Sequence, residues 1–524
     1  MRLLALLALA CTPLSLLAAA PETNIVIRNA TLYDGTGSPG VKGDIHIQGE
    51  RIAAVGQVGK VEGAKEIDAT GLVVCPGFID LHTHCDNGSP GIASKSGALN
   101  KNYLLQGCTT AVTGNCGSGP VDTAKFYATL DTLPLGTNVV HQAPHNSIRN
   151  AVMGNANRAP TAAELKRMEA LVDKAMTDGA WGLATGLIYN PGTYSKTPEL
   201  IALAKVSARH GGHYASHIRN ESTGLLTAIE EALTIGRESG CPIHISHIKA
   251  SGPAAWGSSG RAVGLIEDAR RKGQKVTADQ YPYIASSTSL RATLVPTRYR
   301  EGSNAEFVKR LDDPTVGPKI RADLIEALER GSGPKRLQIA RYAVKPEWQG
   351  KTIDAIATAE KKAPVDIVLE IERNGGAAVV NFGMSEEDVR VFMKQPWVAT
   401  ASDGSTQNPA SKTVPHPRSY GTFPRKIGRY SIEDRVLPLE QAIRSASGLP
   451  ADILRMKDRG YLKPGMHADV VVFQPEKYRD AATFDKPHQY AEGVRWVFVN
   501  GHAAVVEGKV QEQAHGGRAL RHAK

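Results

Sequence analysis

The sequence contains little cysteine, and after residue 20 it has no apolar run long enough to cross a membrane. Later apolar runs have the length of a β-strand and carry His or Asp, whereas a spanning helix needs about 20 predominantly apolar residues. Only 6 of the 524 residues are cysteine, which is too few for a disulfide framework in a chain of this length. These absences exclude a disulfide-stapled scaffold and stable insertion of the mature chain in a membrane.

The sequence also lacks a concentrated basic surface, although its net charge at pH 7 is +10. Lysines and arginines are scattered along the chain, and the one basic cluster, at 518–524, is the chain terminus. A nucleic-acid-binding protein would be expected to mass such residues on one face. We therefore predict no nucleic-acid partner. The excess charge indicates a solvated basic surface, with a weak bias toward anionic substrates or a negatively charged cell envelope.

What is present is the composition of a large globular enzyme. Hydrophobic residues make up 41% of the chain, with 52 glycines and 30 prolines, which disfavours a coiled coil or wholesale disorder. Because an α/β barrel can run to about 250 residues as one domain, the length predicts two domains plus an insertion. Nothing in the sequence predicts the oligomeric state.

The first 20 residues have the features of a secretory signal peptide. One positive charge precedes an apolar run, and small residues at Ala18 and Ala20 suit cleavage near Ala20. A membrane anchor is a less favoured alternative because the run is short and interrupted at Pro13. A lipoprotein attached through Cys11 is also less favoured, because the residues before it fit poorly. We therefore expect export, to the periplasm.

Export to an oxidising compartment makes the remaining cysteines informative. Cys75 and Cys85 could pair if the geometry of their strands allowed it. Cys116 is better explained as a thiolate ligand that a bound metal would protect from oxidation. Cys108 and Cys241 are interpreted as core residues.

Both ends of the mature chain alternate apolar and polar residues between glycine-rich turns. This pattern is typical of β-strands with one buried face, and it covers 21–75 and 461–524. We predict that the two segments fold together as a small β-sandwich. A helical segment at 431–460 would lead the chain back to it.

Between 76 and 430, strand-like runs alternate with helix-like runs, which is the pattern of a parallel sheet. One helix, at 161–176, begins with a capping box from Thr161 to Glu164. The gap at about 290–395 is too long for one helix and predicts an inserted subdomain over the site. Eight strands predict an α/β fold of the (β/α)8 TIM-barrel type, with its active site at the carboxyl ends of the strands; they are 78–84, 109–116, 138–144, 182–187, 212–218, 241–248, 275–281 and 397–403.

Six potential metal ligands stand at the ends of these predicted strands: His82, His84, Cys116, His217, His247 and Asp403. The first two histidines are two residues apart, so a strand would direct both imidazoles to one face. The cysteine, flanked by glycines that allow close backbone approach, offers a thiolate suited to zinc. The aspartate could bind metal and also take a proton. The remaining candidates are interpreted as hydrogen-bonded or surface histidines without a ligand role: His141, His145, His213, His244 and His416.

These residues lie in segments that together resemble the D-aminoacylase (N-acyl-D-amino-acid deacylase) family of the amidohydrolase superfamily. The segments are FIDLHTH at 78–84, GCTTAVTGNCG at 107–117, SHIRNE at 216–221, ISHIK at 245–249, DQYPY at 279–283, SDG at 402–404 and HPRSYG at 416–421. The segment at 460–473 is similar to the one that leads back into the β-sandwich of that superfamily. The resemblance covers essentially the whole mature chain.

The resemblance implies a zinc centre with two positions. The tight position would use a thiolate and two imidazoles, from Cys116, His217 and His247. A second, weaker position would be faced by His82, His84 and Asp403.

The resemblance also implies roles in the reaction. Asp403 would be the general base, which activates water and then protonates the leaving amine. The α-carboxylate of the substrate would be held by four residues, Lys249, Tyr283, Ser289 and Arg418.

The implied reaction is zinc-dependent hydrolysis of the amide bond of a small molecule, an N-acyl-D-amino acid, which releases a carboxylate and a free D-amino acid. A dipeptidase that cleaves L-Xaa-D-Xaa is an alternative, because an L-residue is simply a larger acyl group. A cyclic-amide hydrolase is less favoured, because enzymes resembling dihydroorotases and hydantoinases generally bridge their metals with a modified lysine on the fourth strand, and 182–187 has no lysine or acid. Retention of Asp403 argues against a catalytically inactive metal-binding protein.

Overall fold

The computed structural model describes residues 23–88, 90–513 and 515–523, and the predicted signal peptide lies outside them. The β-strands of these residues are β1 (Asn24–Leu32), β2 (Val41–Gln48), β3 (Arg51–Gly56), β4 (Lys65–Asp68), β5 (Val73–Pro76), β6 (Phe78–Asp80), β7 (Cys108–Thr113), β8 (Asn138–His141), β9 (Ala143–Pro144), β10 (Gly182–Gly186), β11 (His213–His217), β12 (Ile243–Ile245), β13 (Val276–Gln280), β14 (Ser286–Ser289), β15 (Leu337–Arg341), β16 (Ala378–Asn381), β17 (Val398–Thr400), β18 (Val470–Phe473), β19 (Val494–Val499), β20 (His502–Val506) and β21 (Lys509–Val510).

The α-helices are α1 (Lys101–Leu104), α2 (Thr123–Asp131), α3 (His145–Met153), α4 (Ala162–Thr177), α5 (Thr197–Arg209), α6 (Leu225–Ser239), α7 (Ser259–Arg271), α8 (Leu290–Leu294), α9 (Asn304–Asp312), α10 (Gly317–Arg330), α11 (Ile353–Glu360), α12 (Pro364–Arg373), α13 (Glu386–Met393), α14 (Arg418–Pro424), α15 (Leu439–Ala446) and α16 (Gly448–Leu454). A π-helix spans Arg425–Glu433, and single 3₁₀ turns lie at Asn115–Gly117, Gly192–Tyr194, Pro253–Ala255, Thr297–Tyr299, Pro334–Arg336, Pro346–Trp348 and Pro475–Lys477.

Eight parallel strand positions form the predicted barrel. Strands β6, β7 and β8 form one parallel sheet in that order, and a second parallel sheet has the order β9-β10-β11-β12-β13-β17. Strand β9 follows β8 directly, so the two together fill the third strand position. A parallel bridge between Thr83 and Gly404 joins the ends of the first and last strands. The predicted (β/α)8 fold is confirmed.

The barrel strands end earlier than the sequence predicts. Strands β7, β12 and β17 stop two or three residues before Cys116, His247 and Asp403. These three residues have φ values of 52°, 36° and 50°, which are outside the extended region that a strand requires. The predicted strand bounds were wrong here because the ligand-bearing residues leave the ladder and turn into the barrel mouth.

The outer helices of the barrel pack on the strands through an apolar layer. Leu183 of β10, Leu203 of α5 and Ile229 of α6 belong to one buried cluster. The predicted capping box is present at α4, where Thr161 accepts a hydrogen bond from the backbone of Glu164 and the Glu164 side chain accepts one from the backbone of Thr161.

The two chain ends combine in one nine-stranded sheet, as predicted. Strand β5, from the N-terminal part, pairs antiparallel with β18, from the C-terminal part. Ile27, Ile47 and Phe498 lie in the apolar cluster of this sheet. Because β5 leads directly into β6, the β-domain is attached at the first barrel strand.

The insertion between the seventh and eighth barrel strands has its own sheet, in the order β14-β16-β15, and its own apolar core. Its first strand begins at Ser286, so the insertion starts slightly earlier than predicted. It ends before α13, which packs on α7 and β17 as a barrel helix. The predicted end near 395 therefore included a helix of the barrel.

The described cysteines are all buried and unpaired. Cys75 and Cys85 form no disulfide, and Cys108 and Cys241 lie in apolar clusters, as expected. Among the described residues, no helix has both the length and the apolar character needed to span a membrane.

Candidate metal centre and active site

The carboxyl ends of the barrel strands bring a thiol and three imidazoles together. Sγ of Cys116 lies 3.4 Å from Nε2 of His82, 3.5 Å from Nδ1 of His217 and 3.6 Å from Nε2 of His247. A tetrahedral zinc ion, with bonds of about 2.3 Å to sulfur and about 2.0 Å to nitrogen, needs sulfur and nitrogen about 3.6 Å apart. The residues present therefore fit a zinc ion.

Asp403 faces the two histidines of the first strand. Its Oδ1 lies 3.1 Å from Nε2 of His84 and 3.6 Å from Nε2 of His82, so these three side chains form a second group of potential ligands. His82 also belongs to the first group, with Cys116 and His247. A shared ligand means that the two predicted metal positions are adjacent.

The backbone is adapted to place Cys116 at the centre of the first group. A Cβ at Gly114 would lie 2.3 Å from the carbonyl oxygen of Gln142, and one at Gly186 would lie 2.2 Å from the carbonyl oxygen of Cys116. The end of the fourth strand therefore passes directly beneath the cysteine, where no side chain fits. Positive φ in non-glycine residues is strained and tends to concentrate at functional sites, which matches Cys116.

A carboxylate supports two of the imidazoles from behind. Oε1 of Glu221 lies 2.9 Å from Nδ1 of His247, and Oε2 lies 3.5 Å from Nε2 of His217. Such a carboxylate fixes the orientation and tautomer of metal-binding histidines. Glu221 was not assigned a role from the sequence, although its position four residues after His217 in the SHIRNE segment was a usable signal.

Two further buried carboxylates hold His82 and its neighbours. Oδ1 of Asp80 accepts hydrogen bonds from the backbone of His82, at 3.1 Å, and of Ser402, at 3.0 Å. Oδ2 of Asp279 lies 3.6 Å from Nδ1 of His82. Sequence reasoning missed both aspartates, because each lies inside a strand where a buried acid is rarely expected.

Two of the four predicted carboxylate-binding residues lie at the centre. Nη1 of Arg418 is 2.7 Å from Oδ2 of Asp403, and its Nη2 donates to the carbonyl of Ser287 at 3.2 Å. Nζ of Lys249 is 2.5 Å from Oε1 of Glu221. One cation therefore stands beside each ligand group.

The hydroxyls of the other two predicted residues contact groups outside the centre. The hydroxyl of Tyr283 donates to Asp480 at 3.4 Å, and the exposed Ser289 uses its hydroxyl to cap α8. The aromatic ring at the centre belongs to Tyr281, which lies 4.8 Å from Cζ of Arg418. Its buried hydroxyl has no hydrogen-bond partner among the described residues. The sequence could not separate the two tyrosines, because strand alternation ends at Gln280.

The other histidines that were interpreted as hydrogen-bonded residues are all buried and hydrogen-bonded. The pairs are His141 with the Thr113 hydroxyl, His145 with the Glu199 carboxylate, His213 with the Gln142 amide, His244 with the Asp279 carboxylate, and His416 with the Ala285 carbonyl.

Burial and charge set the protonation states at the centre. Burial, together with the carboxylates of Asp403 and Glu221, raises the pKa of the Cys116 thiol well above its ordinary value, so only a bound cation would make the thiolate its stable form. Burial and the nearby Lys249 lower the pKa of His247 to about 3, which keeps the imidazole neutral, as a metal ligand must be. Burial would raise the pKa of Asp403, but Arg418 and the histidines hold it well below its ordinary value.

A cavity of about 650 Å³ opens beside Glu221, between the barrel loops and the insertion. Most of its wall carries hydroxyl, amide or charged groups, including those of Thr193, Arg219, Ser251, Thr288 and Asn381. The Oδ1 atom of Asn381 is buried without a hydrogen-bond partner in the described structure. This cavity reaches the centre only through Glu221, the carboxylate behind His217 and His247.

Comparisons with known proteins agree with this geometry. The sequence pattern of the amidohydrolase family matches residues 65–505. The chain is 34% identical to a D-aminoacylase of Alcaligenes xylosoxydans xylosoxydans over 95% of this chain and 97% of that protein. It is 34% identical to an N-acyl-D-glutamate deacylase of the same organism over 92% of this chain and 93% of that protein.

Solved structures give the same relationship. The crystal structure of a D-aminoacylase matches with a TM-score of 0.82 and 33% identity, covering 95% of this chain and 100% of that one. An N-acyl-D-glutamate deacylase from Bordetella bronchiseptica, complexed with zinc and a phosphonate inhibitor that mimics the tetrahedral intermediate, matches with a TM-score of 0.82 and 32% identity over the same shares. A dihydropyrimidinase from Brevibacillus agri, at 15% identity and a TM-score of 0.57, shares the fold.

Proposed function

This chain belongs to the amidohydrolase family, and from that premise we propose that it is a zinc-dependent deacylase of N-acyl-D-amino acids. The observation that carries the proposal is the group formed by Cys116, His217 and His247, with Asp403 and two cations beside it. The similar proteins named D-aminoacylase and N-acyl-D-glutamate deacylase support the same substrate class.

The cations suit recognition of the substrate's α-carboxylate. Arg418 offers a guanidinium that can pair with a carboxylate through two hydrogen bonds, whereas Lys249 offers a compact charge. The ring of Tyr281 lies 5.5 Å from Nζ of Lys249 and 4.8 Å from Cζ of Arg418, and its hydroxyl, which has no hydrogen-bond partner among the described residues, can donate a third hydrogen bond. A free carboxylate next to the scissile amide would therefore be required for tight binding.

Asp403 supplies the proton transfers. Cys116, His217 and His247 would hold the zinc ion, which would supply activation of water and polarisation of the amide carbonyl. The carboxylate of Asp403 would take a proton from the attacking water and return it to the amide nitrogen as the C–N bond breaks. His82 and His84 keep this carboxylate directed at the reacting atoms, and its anionic state at neutral pH suits it to begin as a base.

The polar cavity beside Glu221 favours a second candidate, a dipeptidase that acts on L-Xaa-D-Xaa. A cavity of about 650 Å³ has room for a group larger than acetyl, and its hydroxyl and amide groups suit the polar backbone of a second residue. The same zinc chemistry and the same carboxylate recognition would apply, because only the acyl group changes.

We also propose that the protein is exported to the periplasm, with cleavage near Ala20. The apolar N-terminal segment and its small residues support this proposal. Expression with the native N-terminus, followed by osmotic release and mass measurement, tests it. Cytoplasmic retention of the full-length chain would contradict it.

A hydrolysis panel tests the activity. Mature protein is incubated with N-acetyl-D-, N-acetyl-L- and L-Xaa-D-Xaa compounds, before and after chelation. We expect release of free D-amino acids that chelation abolishes and zinc restores, and the ratio of acetyl to dipeptide turnover separates the two candidates. Turnover of L-configured substrates alone would refute both.

A further inference from the structure

Buried polar side chains lie on the barrel strands below the metal ligands, and His244 is one of them. In (β/α)8 barrels the interior is generally filled by branched apolar side chains. Here the imidazole of His244, on β12, points into it, and the residue is 3% exposed. His244 is not one of the six ligands, and the proposed reaction gives it no role.

A hydrogen-bonded chain runs from His244 to the ligands. Its Nε2 lies 2.7 Å from Oδ2 of Asp279, and its Nδ1 lies 2.9 Å from the hydroxyl of Thr277. A carboxylate can only accept, so Nε2 carries the proton. The other Asp279 oxygen accepts the backbone N–H of His247 at 2.6 Å, while Oδ2 faces Nδ1 of His82 at 3.6 Å.

Asp279 therefore contacts two ligands that come from different barrel strands. One contact is with the backbone of His247, which has a strained φ of 36°, and the other is with the far nitrogen of His82. A carboxylate with this position must itself be fixed. The only side-chain N–H among the described residues that donates to it at hydrogen-bond distance is that of His244.

We propose that His244 is a positioning residue of the metal centre, which locks Asp279 in the orientation that aligns His82 and His247. The inference rests on the metal centre of the proposed function. It does not require proton transport, because hydrolysis of an amide at neutral pH yields a carboxylate and an ammonium group without a net proton.

Two variants and one control test the proposal. His244→Leu removes the donor, whereas His244→Gln keeps an N–H near the position of Nε2. Ile243→Ala is the control, because Ile243 is the adjacent residue of the same strand and packs into the outer apolar layer instead. Zinc affinity is measured by chelator competition with the mature protein, the Co²⁺ absorption spectrum reports coordination, and thermal unfolding of the zinc-free protein reports stability.

We expect His244→Leu to bind zinc about 10–100-fold more weakly, as is usual when a group behind a metal ligand is lost, and to change the Co²⁺ spectrum. His244→Gln should restore most of the affinity. Ile243→Ala should unfold at a lower temperature yet bind zinc as the unmodified protein does.

The proposal is overturned if His244→Leu binds zinc as tightly as the unmodified protein. It is equally overturned if His244→Leu and Ile243→Ala both lose zinc affinity in proportion to their loss of thermal stability, because the loss would then come from general destabilisation. If His244→Leu fails to fold, Thr277→Val, which removes the hydroxyl that orients the imidazole, decides: weaker zinc binding supports the proposal and unchanged binding refutes it. These measurements need no substrate, so their failure is distinguishable from failure of the proposed activity.

Discussion

The contact between Glu221 and Lys249 gives the sharpest quantitative prediction. Nζ of Lys249 lies 2.5 Å from Oε1 of Glu221, and the side chains of Glu221 and Lys249 are only 13% and 5% exposed. In Glu221→Gln the shape is kept but the charge is lost, so the ammonium of Lys249 stays buried without an acid. Removing one partner of a buried pair typically costs about 3–5 kcal/mol, and we expect this loss in the unfolding free energy of the zinc-free protein.

Two comparison variants isolate the cause. Glu221→Gln combined with Lys249→Met should recover part of the lost stability, because no unpaired buried charge remains. Glu326→Gln breaks an exposed pair with Arg330, and it should cost less than about 1 kcal/mol. Urea unfolding of all variants at one pH measures the differences.

The same variant predicts a pH effect with a definite sign. Burial would raise the pKa of Glu221, but Lys249 and the two histidines hold it well below its ordinary value. A depressed pKa contributes stability that is fully present above the unfolded value, about 4.3, and is lost as the pH falls below it. The unmodified protein should therefore lose stability more steeply below about pH 4.3 than Glu221→Gln does.

Zinc binding provides an independent assay of the same contact. Because Glu221 supports His217 and His247, its loss should weaken zinc binding by about 10–100-fold. A Glu221→Gln protein with the stability, acid sensitivity and zinc affinity of the unmodified protein would refute the reasoning that this carboxylate holds the centre together.

Three further predictions follow from the site. Asp403→Asn should lower kcat by about 100–10,000-fold, the usual contribution of a general base, while the protein still folds; near-normal turnover in steady-state kinetics would remove the proposed mechanism. Tyr281→Phe should raise KM for N-acetyl-D-substrates by about tenfold through the lost hydrogen bond, whereas Tyr283→Phe should leave KM almost unchanged. The reverse order would support Tyr283, the assignment made from the sequence, and refute the one made from the structure. Gly186→Ala places a Cβ 2.2 Å from the carbonyl oxygen of Cys116. We therefore expect the zinc content to fall and the unfolding free energy to drop by about 1–3 kcal/mol. A variant that is stable and fully loaded with zinc would show that the loop has room to move.

The meeting of the six potential ligands could be predicted because parallel strands of a barrel end at one mouth, so residues far apart in sequence come together there. His217 and His247 lie one strand apart, and the structure brings both to Cys116. The sequence-based argument needs only the strand positions, which apolar runs reveal. It does not need the conformation of the residues after each strand.

The same reasoning does not give the direction of side chains that follow the end of a strand. Tyr281 and Tyr283 are two residues apart, and strand alternation would put both on one side; the chain turns after Gln280 and separates them. Ser289, which the resemblance assigns to the substrate, accepts the capping hydrogen bond of α8, and its assignment stays a prediction. These outcomes depend on backbone turns that hydrophobic periodicity does not encode.

The absence of a lysine on the fourth strand has a structural reason. In the cyclic-amide hydrolases a modified lysine at this strand generally bridges the metals, so it needs space above the strand end. Here the loop that carries Cys116 occupies that space, with its carbonyl where a Cβ of Gly186 would lie. Any side chain at 186, a lysine included, would therefore meet the backbone carbonyl of Cys116 in this barrel. His82 belongs both to the group of Cys116 and to the group of Asp403, and Gly186, at the end of the fourth strand, leaves the space that the Cys116 loop occupies.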